Sequence, residues 1–178
     1  MMRLSSVLLA AFAALSATPS LAELPVGSRV PMFATASADA GKPARFSLAV
    51  ALKRGPVVIY FYPKAFTPGC TLEAHAFAEA NDDFAAAGAT VIGLSADDLP
   101  TLQRFSVEEC RSKFPVGIAT PAIIDAFDVA LGKSGLTSRT SYVIAPNGKV
   151  AFVYSDRNYR EHVGRTLAAV RALKRRKH

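Results

Sequence analysis

Hydrophobic positions follow two rhythms along this chain. Residues 56–62, "PVVIYFY", and 90–96, "TVIGLSA", are short apolar runs rich in β-branched and aromatic side chains. Runs of this length between turn-forming residues predict strands buried on both faces. From Cys70 to about Ala87 the rhythm lengthens: Leu72, Phe77, Ala80 and Phe84 recur at spacings of three to five, and Gly88 stops the run. That spacing predicts a helix. A second helix follows the second strand, with Asp97 or Asp98 as its cap and Pro100 in its first turn. It is expected to carry Leu102, Phe105 and Cys110 and to end before Phe114-Pro115.

"TSYVIA" (140–145) and "KVAFVYS" (149–155) read as two strands joined through Asn147-Gly148, a strong hairpin pair. A last helix is predicted from about Glu161 to Lys174, with Val163, Leu167, Val170 and Leu173 on one face. Glu23 to Lys42, rich in Pro, Gly, Ser and Ala, reads as an extended lead-in. The order strand, helix, strand, helix, hairpin, helix predicts an α/β fold with a central mixed β-sheet flanked by helices, its antiparallel end supplied by the hairpin.

Composition changes the picture chiefly at the ends. The chain has 178 residues, enough for one domain with a single core. Residues 1–22 combine one basic residue, Arg3, with an apolar run from Val7 to Leu15 and a small-x-small ending, Ser20-Leu21-Ala22. This is the pattern of a cleaved export leader; the run is short for a membrane anchor or a buried first helix, the two alternatives. The mature domain is then 23–178, in the periplasm or outside the cell, without stable membrane insertion. The formal charge of +7 is concentrated in Lys174, Arg175, Arg176, Lys177 and His178, which read as a solvated terminus. Nucleic acid is not an expected partner of an exported chain. Export does make one disulfide permissible, and there are two cysteines to form it.

The candidate chemistry lies in "FTPGC", residues 66–70. Thr67 stands where a C-x-x-C redox pair would have its first cysteine, so Cys70 has no near partner. Cys70 falls where a strand has ended and a helix begins, and unpaired N–H groups at a helix start favour an anion such as a thiolate. A helix end contributes up to about 2 kcal/mol. Strong activation therefore requires a cation from elsewhere in the chain.

Pro63-x-x-x-Thr67-x-x-Cys70 matches the P-x-x-x-T-x-x-C pattern of the peroxiredoxins, and "FYPKAFTPGCTLEAHAF" resembles their bacterioferritin-comigratory, or peroxiredoxin Q, branch. The resemblance continues through "SRTSYVIAPNGKV" (138–150), where the family has R-x-x-x-x-I-x-x-x-G, and covers most of the chain from Val26 on. It implies a thioredoxin-like fold and thiol-dependent peroxidase activity. It also implies roles: Cys70 attacks the peroxide and becomes a sulfenic acid, Thr67 hydrogen-bonds peroxide and thiolate, and Pro63 shields the sulfur from water. Arg139 is then the missing cation, and Glu73 orients it.

Many members of that branch place a resolving cysteine five residues after the first; here the position is His75. Cys110 is the remaining thiol. By resemblance it resolves Cys70 as an intramolecular disulfide; alternatively it is a small buried hydrophobe. The charged run "VEECRSK", with Glu108, Glu109, Arg111 and Lys113, predicts an exposed position for it. Pairing demands Cα atoms within about 7 Å, so the first turn after Cys70 and the region around Cys110 are expected to unwind locally. His75, His162 and His178 are scattered, no metal-ligand spacing occurs, and no cofactor is expected. The resemblance further implies a monomer recycled by a thioredoxin-like protein. Two other readings stay open: a thiol–disulfide oxidoreductase of the export compartment, and a non-catalytic thioredoxin-fold binding module.

Overall fold

The computed structural model describes residues 23–175. The expected leader, 1–22, and the tip of the basic tail, 176–178, lie outside the described residues. Within them run β1 (Ala34–Asp39), β2 (Lys42–Ser47), α1 (Leu48–Leu52), β3 (Val57–Phe61), α2 (Pro68–Ala86), β4 (Thr90–Ser95) and α3 (Leu99–Glu108). They are followed by β5 (Val116–Ile118), α4 (Pro121–Phe127), β6 (Thr140–Ile144), β7 (Val150–Ser155) and α5 (Arg160–Arg175).

The strands form one sheet in the order β2-β1-β5-β4-β3-β6-β7. β3 is parallel to β4, and β4 to β5, while β6 and β7 add antiparallel to one side and β1 and β2 to the other. The sheet is therefore mixed, as expected, with antiparallel pairs at both ends rather than one. β3 is central because it can be buried on both sides, and its alternation sorts the core. Val58, Tyr60 and Tyr62 face Phe77, Phe84, Leu102, Phe105 and Val170 from α2, α3 and α5. Val57, Ile59 and Phe61 face Leu48, Leu52, Ile124 and Phe127 from α1 and α4. Burying each such side chain contributes about 1.5–3 kcal/mol relative to exposure.

Local chemistry explains the boundaries. The Asp98 carboxylate accepts from the Thr101 N–H and caps α3, so of the two capping candidates it is the second that caps. α2 stops at Gly88, whose φ of 81° any other residue would adopt under strain. It begins two residues earlier than expected, at Pro68, because a proline in the first turn gives up an N–H that has no helical partner anyway.

Three expectations need correction. The lead-in is not merely extended: "ATASAD" forms β1, and Ala40-Gly41 turns it into β2. The residues of β1 are small or polar, and Thr35 alone is β-branched, too weak a signal to mark a strand. α3 ends at Glu108, so Cys110 lies just beyond the helix rather than on it, in a turn where Arg111 and Ser112 both have positive φ. Finally, Cys110 is not exposed. Its charged neighbours Glu108, Arg111 and Lys113 face solvent while its side chain, fully buried, joins the cluster around Tyr60 and Tyr62.

Gly93 fixes how β3 and β4 can sit side by side. It pairs with Tyr60, and a Cβ on it would lie 2.6 Å from that ring, which is already stacked on Phe77 at 4.3 Å. Gly93→Ala is expected to destabilise the fold by about 1–3 kcal/mol through overpacking, read as a lower urea midpoint. An unchanged midpoint would mean that the Tyr60 ring can move aside.

Candidate active site

The end of β3 and the start of α2 are held by groups distant in sequence. Tyr62 donates its N–H to the Leu94 carbonyl (3.1 Å) and accepts from the Thr137 hydroxyl (2.7 Å). The Ala65 N–H donates to Asp97 Oδ2 (2.8 Å), which also accepts from the Ser95 hydroxyl (2.8 Å). Asp97 thus pins this loop instead of capping a helix. Phe66 has a φ of 62°, a conformation disfavoured for a large side chain, and is gripped by the edge of Phe105 and the overlying Arg104 guanidinium. The strained turn brings Thr67, in extended conformation, to the N-cap of α2, Pro68 to its first position and Cys70 to its third. Cys70 is 1% exposed.

Arg139 crosses to this helix start from the residue before β6. Its Nη2 donates to Cys70 Sγ at 3.4 Å, its Nη1 to Glu73 Oε2, and its Nε to the Arg157 carbonyl at 3.0 Å. All three faces of the guanidinium are therefore engaged, and its orientation is determined. Gly69 makes room for it: a Cβ there would stand 3.2 Å from Nη2. The cation that the sequence required is thus Arg139, with Glu73 one helical turn beyond Cys70 to hold it.

Glu73 is completely buried. Burial drives its carboxyl up to about 8, against the downward pull of Arg139. Its second oxygen, Oε1, has no hydrogen bond and lies 3.7 Å from His162 Nδ1. His162 was singled out by no motif; a lone histidine near a helix start carries little signal. Yet it too is fully buried, and burial holds it below its ordinary value.

The remaining candidates are placed as follows. Pro63 lines a cleft with Leu131, Ser138, Arg139, Ser155, Asp156 and Arg157, through which Arg139 is approached. The Thr67 hydroxyl donates to the Lys64 carbonyl (2.9 Å) and not to the sulfur. Both cysteines are free thiols. Cys110 sits close to the Tyr60 hydroxyl, which makes no well-aligned hydrogen bond, and burial pushes its thiol far up. Next to it, α2 is zipped to the 109–113 turn by a stripe at i, i+4 and i+7: His75 with Glu109 (2.7 Å), Glu79 with Arg111 (3.2 Å) and Asp82 with Lys113 (3.4 Å). Among the described residues no cluster of acidic, histidine and cysteine side chains could hold a metal ion, and no helix is long and apolar enough to cross a membrane.

The buried carboxyl gives stability a pH dependence of known sign. Glu73 keeps its proton in the folded chain up to about 8 but loses it in the unfolded chain near 4.5, so its contribution is present at low pH and falls as pH rises through that interval. His162, held down, acts oppositely, but only below its ordinary 6.5. Between pH 6.5 and 8 the Glu73 effect stands alone of the two. Glu73→Gln is therefore expected to lose a downward slope in unfolding free energy that the unaltered protein has there. Parallel slopes in urea melts across this range would count against a buried, proton-retaining Glu73.

Comparison with known proteins agrees with this geometry. The AhpC/TSA family pattern matches residues 26–153. A chloroplastic peroxiredoxin Q of Oryza sativa subsp. japonica is 34% identical over 152 residues, covering 83% of this chain and 67% of the relative. The crystal structure of peroxidoxin BcpB from Mycobacterium tuberculosis superposes with a TM-score of 0.72 at 36% identity, over 83% of this chain and 96% of that one. Peroxiredoxin Q of Xanthomonas campestris superposes with a TM-score of 0.68 at 30% identity, over 78% and 90%. With its thioredoxin-like mixed sheet and its cysteine at the start of α2, the chain belongs to the AhpC/TSA family, in the peroxiredoxin Q branch of thiol-dependent peroxidases.

Proposed function

We propose that Cys70 is the peroxide-reactive cysteine, that Cys110 resolves it within one chain, and that a thioredoxin-like protein returns the pair to thiols. The observation that carries the reading is the Arg139 Nη2 contact to Cys70 Sγ at the N-terminus of α2. Helix start and guanidinium both stabilise a thiolate, and the same guanidinium can bind the oxygen that leaves.

The reaction balances as follows. Cys70 loses its proton and the sulfur attacks the nearer peroxide oxygen. The S–O bond forms as the O–O bond breaks, and the departing oxygen takes up a proton to leave as water or alcohol. Cys70, oxidised by two electrons, is now a sulfenic acid. Thr67 already donates its proton to Lys64, so towards a peroxide O–H it offers a lone pair, and Pro63 screens the approach with an N–H-free, apolar face. The Cys110 sulfur then displaces the sulfenic oxygen as water, giving a disulfide that an external dithiol reduces by two electrons.

Resolution needs Cys110 to leave the core. The turn that carries it favours this, since two successive left-handed residues are strained and the ion pairs binding it to α2 lie near the surface. Pairs of that kind contribute about 0–1 kcal/mol each, so releasing the turn is far cheaper than global unfolding. Thr67 in place of a near cysteine disfavours a disulfide exchanger, because such an enzyme releases its mixed disulfide with that second thiol. A binding module would have no use for a guanidinium aimed at sulfur. The leader-like pattern of residues 1–22 supports reading this as an exported enzyme, working in the periplasm or outside the cell.

Intact mass after one equivalent of hydrogen peroxide separates the steps. The reduced chain is expected to lose about two daltons rapidly, without dimer, as the disulfide forms. Cys110→Ser is expected to gain about sixteen or thirty-two instead, and Cys70→Ser to stay unchanged and consume no peroxide. If Cys70→Ser still consumes peroxide at the full rate, the assignment of Cys70 fails. Should Cys110→Ser still lose two daltons, the assignment of Cys110 fails.

A further inference from the structure

Arg139 carries one positive charge into a nearly dry site, where two groups can answer it: Cys70 on Nη2 and Glu73 on Nη1. If both are ionised the site holds a net negative charge without water to screen it, which a low-dielectric interior penalises. Ionising Cys70 is therefore linked to keeping a proton on Glu73, and a protonated Glu73 needs an acceptor. Its Oε2 is taken by Arg139. Its Oε1, buried and unpartnered, faces His162 Nδ1 across 3.7 Å.

His162 is built to receive that proton. Its Nε2 lies 3.0 Å from the Asp156 carbonyl, an acceptor only, so Nε2 carries the ring hydrogen and Nδ1 presents a lone pair. The Ser141 hydroxyl, 2.8 Å from Nδ1, reaches the same lone pair and must share it when Glu73 donates, and the Tyr154 ring packs edge-on against the imidazole at 4.8 Å. The charged and titratable groups around it are Glu73 from α2, Arg139 before β6, and Tyr154 and Asp156 from β7 and its end. Arg165 of α5 itself lies over the far side of Tyr154. A shift of less than one ångström would close Oε1–Nδ1 to a hydrogen bond.

We propose that His162 is a positioning residue for the Cys70 site: with Glu73 it holds one shared proton, and that proton leaves Arg139 free to pair with the Cys70 thiolate. The inference rests on Cys70 as the reactive thiol. It adds that the pair Glu73–His162 keeps its own proton while the sulfur gives up another, so that the site carries no excess negative charge. Burial pushes Glu73 up and His162 down, so both favour the neutral pair, in which the proton stays on Glu73 and faces Nδ1. Their titration belongs to the pair rather than to either residue.

The test reads Cys70 ionisation directly, by thiolate absorbance between pH 5 and 8, where the buried Cys110 stays protonated. His162→Asn keeps a polar atom near the position of Nδ1, and His162→Gln keeps one near Nε2, but neither can hold the proton. In both variants the thiolate fraction near neutral pH is expected to fall by about three- to tenfold, because Glu73 then ionises in competition for Arg139. Profiles that superpose on the unaltered protein would overturn the proposal. If the variants do not fold, reciprocity supplies a second reading on the native histidine. The His162 imidazole resonances are expected to titrate at lower pH in Cys70→Ser than in the unaltered chain, and identical titrations would overturn it. Neither measurement needs turnover, so absent peroxide consumption would sink the peroxidase reading while leaving this one decided.

Discussion

A guanidinium drawn largely out of water needs partners for its donors, and in this chain that requirement organises the site. Arg139 is held by the Glu73 carboxyl group on α2, by a carbonyl beyond β7 and by a sulfur at the helix start. Removing one partner from such a buried arrangement strands a charge and costs about 3–5 kcal/mol. The contacts therefore tie α2 to the start of β6 and to the segment after β7. They also bring the buried Glu73 carboxyl and the Cys70 sulfur onto one cation.

The two thiols inhabit opposite environments within one apolar cluster. Cys70 meets a helix terminus and a cation; Cys110 meets the rings and hydroxyls of β3, and its anion is disfavoured. An asymmetry of this kind suits a reaction with an attacking thiol and a waiting one, because the second must stay unreactive until the first has been oxidised. Cys110 itself is packed in the core, and the turn that carries it is fastened to α2 by a zipper of ion pairs near the surface. His75, at the position where relatives of this branch were expected to carry a cysteine, has become part of that zipper.

Much of this could be read from residue patterns, and the exceptions have physical causes. Val57 to Phe61, the α2 face and the Asn147-Gly148 hairpin announce themselves because each is dense in apolar residues or in turn-specific ones. β1 is built of three alanines with Thr35, Ser37 and Asp39, and one β-branched residue among small ones leaves little strand signal. α4 had a readable start, Thr120-Pro121, but is only seven residues long, too short for periodicity to register. At the site, Cys70, Thr67 and Pro63 were local and fixed by spacing, and Arg139 was sought because electrostatics demanded a cation. Asp97 reads as a helix cap and His162 as one of three scattered histidines, and both roles escape the sequence for the same reason. They exist only through contacts made across the fold. The charged run around Cys110 misled because charge at neighbouring positions says nothing about which way a turn residue points.

The glycine of Thr67-Pro68-Gly69-Cys70 has an ordinary helical backbone, so conformational freedom does not explain it. It stands where a methyl group would touch the guanidinium of a residue seventy positions further on. The tetrapeptide is usually regarded as a loop signature, a matter of local turning. In this molecule its third letter is better understood as a footprint: the blank left on one segment by a side chain that arrives from another. A short motif can thus record a tertiary contact, and wherever that blank is filled, the distant arginine must have moved.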